Sequence, residues 1–276
     1  MLTKLKHLVE FLTASIYAVV TMSFLKNNQK LVIYYHSVMK KDIRSFDKQM
    51  KYLAKHFATL KASELLRAKN SKKTIAVTFD DGFQNFYDNA FPVLKKYNIP
   101  ATVFITAGLL GKKANWPIED DCEDVNQRIM TQQQLIELSN YNIEFMSHTM
   151  SHADLAKLDK YLLTRQLTRS KEILEQILDS RVNIISYPYG SYNLNVLISA
   201  RKAGYTHGFT IEPDIIKKNQ HQLLLPRFKV HPSDNILTFI LKTNGSYSSV
   251  RYLRNLKKYL KKLIKAGKIE YVLQGN

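Results

Sequence analysis

From residue 30 to residue 230, short apolar and β-branched runs alternate with longer stretches whose apolar residues recur every three or four positions. Lys30-Leu31-Val32-Ile33-Tyr34-Tyr35 reads as a buried strand that ends at His36. Helical spacing follows over 45–68, through Phe46, Met50, Leu53, Ala54 and Phe57, then Ala62, Leu65 and Leu66. A strand is predicted over 74–79, then a helix through Phe86, Ala90, Val93 and Leu94. Asn98-Ile99-Pro100 closes that helix, because the residue before a proline is driven out of the α region. Ala101–Thr106 predicts the next strand. Residues 109–130 form a polar insertion with Trp116 and five acids between Glu119 and Asp124. Thr131 is then placed as the N-cap of a helix over Gln132–Ser139. A strand at Ile143–Met146, a helix at Ala153–Leu178, a strand at Val182–Tyr187, a helix over 193–203 and strands at Thr206–Ile211 and Leu223–Val230 complete the series. Such alternation predicts an α/β fold with a mainly parallel sheet or barrel, not a sandwich.

Chemistry gathers where the predicted strands end, which is where α/β folds expose catalytic groups. Thr78-Phe79-Asp80-Asp81-Gly82 closes the 74–79 strand with two consecutive carboxylates. Adjacent carboxylates repel unless a cation or an acid/base role absorbs their charge. Taken alone, a solvated Asp-Asp-Gly turn accounts for them equally well. The strand Ile143–Met146 delivers Ser147-His148-Thr149-Met150-Ser151-His152. On a helical turn, imidazoles four residues apart face the same way and can share one divalent ion. With Asp81 they make a set of two imidazoles and one carboxylate, which leaves open positions for water and substrate and argues for a transition metal. In Ser186-Tyr187-Pro188-Tyr189-Gly190, proline and glycine allow a sharp turn that can hold a backbone N–H toward a pocket, as an oxyanion hole requires. An ordinary strand-ending turn explains that segment as well.

The chain of 276 residues, 45% hydrophobic, can bury a core that suits one α/β barrel or two small domains. Its net charge of +18 favours anionic partners. Cys122 is the single cysteine, which excludes an intramolecular disulfide and a multi-cysteine zinc site. Leu8–Leu25 is an apolar stretch of 18 residues interrupted by Glu10, Thr13, Ser15, Thr21 and Ser23. An uncleaved anchor or interfacial helix ranks first there, ahead of a signal peptide and a soluble helix. Arg251–Lys268 carries eight Lys/Arg and no acid, with Leu253, Leu256, Leu260, Leu263 and Ile264 on one helical face. A basic amphipathic helix of this kind suits an anionic membrane surface; the alternative is a terminal helix packed on the barrel. Nucleic acid is not expected as a partner, since no recognised motif accompanies the charge.

In order and spacing, TFDDG at 78–82, HTMSH at 148–152 and YPYG at 187–190 resemble the polysaccharide deacetylase family, the NodB-homology enzymes of carbohydrate esterase family 4. Ile99–Ile105 resembles the family's strand after its first helix, and the likeness covers roughly 31–232. It implies a distorted (β/α)7-type barrel over 28–245, between an apolar segment 1–27 and a basic helical segment 246–276. It further implies Asp80 as general base, Asp81, His148 and His152 as ligands of a divalent metal, most simply Zn2+, and the Tyr189 N–H in an oxyanion hole. Ser186 stands where many members carry an arginine that orients the aspartate, and Arg227 is the candidate replacement. For the general acid, Tyr35-His36 resembles the early motif of a permuted subgroup that deacetylates poly-N-acetylglucosamine, which favours His36 over the alternative His231.

The expected activity is metal-dependent removal of N-acetyl groups from an N-acetylated sugar in a bacterial cell-envelope glycan or its lipid-linked precursor, at a membrane. The competing reading is a catalytically inactive, membrane-associated glycan-binding protein with the same barrel, to which Ser186 lends support. A basic nucleic-acid-binding protein is a distant third.

Overall fold

The computed structural model describes residues 9–17, 29–69, 73–116 and 127–251. Eight parallel strands form one curled sheet: β1 (Lys30–Tyr35), β2 (Ala58–Leu60), β3 (Thr74–Phe79), β4 (Ala101–Ile105), β5 (Ile143–Ser147), β6 (Ile184–Ser186), β7 (His207–Phe209) and β8 (Phe228–Lys229). Their order is β7-β6-β5-β4-β3-β1-β8. β2 pairs with Thr74–Ala76 of β3, and β4 takes the second half, Val77–Phe79. β3 and β4 are buried at every position and β1 at all but its first, which is why they read as continuous apolar runs without alternation.

Residues 222–230 close the curl. On one side Gly208 N–H donates to Gln222 O and Thr210 N–H to Leu225 O; on the other, β8 pairs with Ile33 and Tyr34 of β1. The result is a distorted α/β barrel, as expected from the alternation of elements. Helices at Ile43–His56, Ala62–Arg67, Phe91–Lys96, Gln132–Ser139, Lys160–Leu178, Leu194–Lys202 and Ile236–Thr243 surround it. Thr131, Asp159, Asn193 and Asn235 each accept a backbone N–H at a helix start, a contribution of about 1 kcal/mol per cap.

Some elements differ from the sequence pattern for identifiable reasons. The 45–68 helix is two helices separated by β2, because Phe57 turns extended and Ala58–Leu60 pair with β3. The long helix begins at Lys160 rather than Ala153, where Asp159 caps it. Pro92 removes an N–H from the helix after β3, and the preceding turn widens into a π-turn over Phe86–Ala90. Pro226 interrupts the expected 223–230 strand, leaving one bridge at Leu225 and the short β8.

Residues 9–17 are helical, and Ala14 within them is buried. No helix among the described residues is long and apolar enough to cross a membrane. Ser246, Ser248, Ser249 and Val250 are buried, and Arg251 donates to Asp214 at 2.8 Å, so packing continues past residue 245. The basic amphipathic helix expected over 251–268 lies, apart from Arg251, outside the described residues, as do the acids between Glu119 and Asp124.

Candidate active site

The parallel strands place the singled-out residues at one end of the barrel, because β1, β3, β5 and β6 all end there. Asp80 and Asp81 follow β3, His36 follows β1, His148 follows β5, and Pro188–Gly190 form a tight turn just beyond β6. Arg227 enters from just before β8 and is fully buried. Its guanidinium lies 4.4 Å from the Tyr34 ring centroid and 5.5 Å from those of Phe104 and Phe209.

Arg227 forms a fork on Asp80: its two terminal nitrogens donate to the two carboxylate oxygens at 2.8 Å each. Its Nε donates to Thr210 O at 3.1 Å, which fixes the plane of the fork. Ser186 Oγ accepts from the same guanidinium at 2.8 Å and donates to Asp80 at 3.2 Å. Burial by itself would raise the Asp80 carboxyl; the Arg227 charge, with His148 and the Arg227 hydrogen bonds, overcomes this and holds it well below the usual carboxylate range. The arginine absent at position 186 is thus matched by one arriving from 227. That pairing gives Asp80 an arginine partner despite Ser186, which weakens the case for an inactive barrel.

Asp81, His148 and His152 are buried, and one ligand atom from each lies within 4.8 Å of the others. The Nε2 atoms of His148 and His152 stand 3.5 and 3.3 Å from the same Asp81 oxygen. His148 Nδ1 lies 2.8 Å from the Ser186 carbonyl, an acceptor only, so Nδ1 carries the proton and Nε2 presents a lone pair toward Asp81. Burial lowers the His148 pKa to about 4. Burial, then the charges of His148 and His36, lowers that of His152 to about 2. Both rings are therefore neutral near pH 7, and imidazolium–carboxylate attraction does not hold this cluster together. Buried donor atoms converging without protons between them fit a divalent cation.

The local backbone is unusual. Among the described residues, the left-handed non-glycine positions are Asp81, Asn98, Thr149, His152, Asp179 and Tyr189, and four of the six are here. The expected helical turn between His148 and His152 is absent: Thr149 at φ 69° and His152 at φ 56° bend a tight non-helical turn that converges both rings. Backbone hydrogen bonds from Ala107 and Gly108 to the Thr149 and Met150 carbonyls clip this turn, as does Gln166, whose Oε1 accepts the Met150 and Ser151 N–H groups. A Cβ at Gly108 would stand 2.6 Å from Met150 O, so only glycine permits the clip.

Beyond β6, Pro188 and Gly190 bracket Tyr189, which sits at φ 59°. The turn's own hydrogen bonds use the N–H groups of Gly190 and Ser191 and leave that of Tyr189 outside them. His36 is half-buried and lies near enough to Asp80, His148 and His152 for a charge on its ring to act on all three. His231 follows the neighbouring β8, where its N–H donates to Asp234 and its carbonyl accepts from Gln49. Sequence reasoning gave no part to Trp116, which stacks on His152 at 4.3 Å between centroids, nor to Gln166. A lone tryptophan in a polar insertion was the available signal.

The polysaccharide deacetylase family model matches residues 67–208. The Bacillus subtilis (strain 168) protein YxkH, which carries a polysaccharide deacetylase name, is 32% identical over 212 residues, covering 73% of this chain and 71% of its own. A poly-β-1,6-N-acetyl-D-glucosamine N-deacetylase of Staphylococcus aureus (strain MRSA252) is 29% identical over 252 residues, covering 79% and 83%. The structure of the Streptococcus pyogenes deacetylase PplD in complex with acetate superposes with a TM-score of 0.67 at 26% identity, over 79% of this chain and 99% of that one. With the matched region spanning β3 to β7 and all three motifs inside it, the chain belongs to the polysaccharide deacetylase family.

Proposed function

We propose that this protein is a metal-dependent carbohydrate N-deacetylase that removes N-acetyl groups from an N-acetylated glycan of the bacterial cell envelope. The observation that carries the reading is an ionised Asp80, held by the buried Arg227 fork, directly beside the Asp81–His148–His152 ligand set. Likeness to a poly-N-acetylglucosamine N-deacetylase over most of both chains supports the substrate class. Asp81, His148 and His152 would hold the ion, and two imidazoles with one carboxylate favour zinc over magnesium or calcium. An ion there supplies polarisation of the acetamide carbonyl and acidification of a water, so a carboxylate kept as acidic as Asp80 can still accept the proton.

Asp80 then takes a proton from the attacking water. Its oxygens are engaged by Arg227 and Ser186, but each carboxylate oxygen has a second acceptor site. The Tyr189 N–H donates to the oxyanion as the tetrahedral carbon forms. His36 delivers a proton to the amine nitrogen as the C–N bond breaks, leaving acetate and a free amino sugar. Support for His36 over His231 lies in its electrostatic contact with Asp80, His148 and His152. The same ligand set and base can serve a polymer or a lipid-linked sugar, and a membrane location follows from the apolar and basic segments at the two ends of the chain.

The test is acetate release by the purified protein from N-acetylglucosamine oligomers of different linkage and from lipid-linked N-acetyl sugars. Release should stop on chelation and return with zinc. Undiminished release in chelator overturns the metal-dependent reading; no release from any N-acetylated sugar, with zinc bound, overturns the deacetylase reading.

A further inference from the structure

His148 and His152 are held in different ways. His148 has the Ser186 carbonyl on its Nδ1 at 2.8 Å, the outer contact that usually fixes a metal-binding imidazole. Among the described residues, His152 Nδ1 is buried and meets no hydrogen-bond partner outside its own residue. Its ring is gripped by aromatic groups instead. Trp116 stacks on it at 4.3 Å between centroids and 18° between planes, and Tyr189 meets it edge-on at 4.6 Å and 73°.

Trp116 is itself braced. It stacks on fully buried Phe83 at 6.2 Å and 28°, within a small satellite core of Phe83 and Ile129 flanked by Leu109, Leu110 and Ala114. Phe83 lies two residues beyond Asp81, and this strip of chain is bonded to the returning arm of the insertion: Met130 N–H donates to Gly82 O and Gln84 N–H to Arg128 O. The satellite core therefore bridges the loop that carries one ligand and the ring of another.

We propose that Trp116 is a positioning residue for the metal centre: stacked on Phe83 and His152, it sets the plane of His152 relative to Asp81 and replaces the missing hydrogen bond at Nδ1. The inference rests on the metal-centre reading above. The two described arms of the polar insertion, 109–116 and 127–130, are then a support for metal binding rather than a passive excursion. Because Trp116 is the single tryptophan of the chain, its emission reports on the stack directly.

Zinc affinity of the metal-free full-length protein, measured by competition with a chromophoric chelator, is the test. Trp116→Ala should weaken zinc binding by roughly 10- to 100-fold, the range for loss of an outer-shell support. Trp116→Phe, which keeps a stacking face, should recover most of it. The absorption spectrum of the cobalt-loaded Ala variant should differ from wild type, since the ligand field follows the His152 ring. In the wild type, zinc should change the Trp116 emission with a one-to-one endpoint, and in His152→Ala that response should vanish. Wild-type zinc affinity and an unchanged cobalt spectrum in Trp116→Ala overturn the proposal. If Asp81→Ala also binds zinc as wild type does, the metal-centre reading itself has failed. Circular dichroism of metal-free Trp116→Ala separates lost support from lost fold: a native spectrum with weakened zinc binding is the expected result, and a weakened affinity found only with an unfolded spectrum counts against a specific stack.

Discussion

At the scale of single residues, the Asp80–Arg227 pair is where the energetics are most exposed to test. Both side chains are almost or wholly without solvent, so each charge is compensated by the other. Removing one partner of such a buried pair costs about 3–5 kcal/mol, because the remaining charge is stranded. Arg227→Met should therefore lower the unfolding midpoint markedly and abolish turnover together. Arg227→Lys keeps the charge but loses the two-point fork, so burial regains part of its hold on the carboxyl. Its acid limb in kcat/KM should move to higher pH, with the alkaline limb in place; an acid limb unmoved from wild type would show that the fork does not set the ionisation of Asp80. Asp80→Asn should lose roughly 10²–10⁴-fold in turnover while still binding one metal ion, since it removes a base and not a ligand. His148→Ala and His152→Ala should lose metal and activity in parallel, read by elemental analysis beside the rate. Ser186 bonds through its hydroxyl to both partners of the pair and through its main-chain carbonyl to His148, so one residue links Asp80 to His148.

At the scale of elements, strand ends explain both what was legible and what was not. β1, β3 and β4 are buried on both faces and leave continuous apolar runs in the sequence, so Asp80, Asp81 and His36 could be placed at their ends. The turn after β5 could not be read as it is, because left-handed Thr149 and His152 leave no mark in hydropathy. β2 and the Trp116 stack depend on tertiary partners, Thr74–Ala76 and His152, distant in sequence. The same turn carries a pH dependence. His148 and His152 have folded pKa values of about 4 and about 2, below their ordinary values, so between those values and about 6.5 the unfolded chain binds more protons than the folded one. Stability of the metal-free protein is then fully present above about pH 6.5 and declines as pH falls, by up to about 1.4 kcal/mol per pH unit for each imidazole. Urea unfolding of metal-free protein between pH 7 and pH 4 should show that decline, and His148→Gln should flatten it; equal slopes in the two proteins would mean that His148 is not buried neutral. The neighbouring strands β1 and β8 give a second comparison. His36→Ala should reduce turnover by roughly 10²–10⁴-fold and remove the alkaline limb of the pH profile, whereas His231→Ala, whose backbone is anchored through Asp234 and Gln49, should change it far less. A crippled His231 variant beside an active His36 variant would reverse the assignment.

At the scale of the whole molecule, a barrel that collects its chemistry at one mouth is combined with a charge of +18 that the chemistry does not use. The site itself contributes little to that excess: Arg227 is neutralised by Asp80, and both His148 and His152 are uncharged near pH 7. The surplus lies on exposed lysines and in the last part of the chain, where eight Lys/Arg fall between Arg251 and Lys268. Near an anionic membrane surface each basic residue contributes roughly 1 kcal/mol, and the contribution fades within a Debye length as salt rises. The leucines on the same stretch contribute on the order of 1.5–3 kcal/mol each where they are buried, a term indifferent to lipid charge. The two terms separate in a vesicle experiment. Full-length protein should bind vesicles containing anionic lipid more tightly than neutral ones, and added salt should narrow the difference. Charge reversal at Lys257, Lys258, Lys261 and Lys262 should remove the preference for anionic lipid while leaving hydrolysis of a small soluble substrate unchanged, because none of the four is among the groups that build the site. Equal binding of the reversed and wild-type proteins to anionic vesicles at low salt would assign the membrane attachment to the apolar segment at the N-terminus, and the basic segment would then be a helix whose leucines cover the barrel.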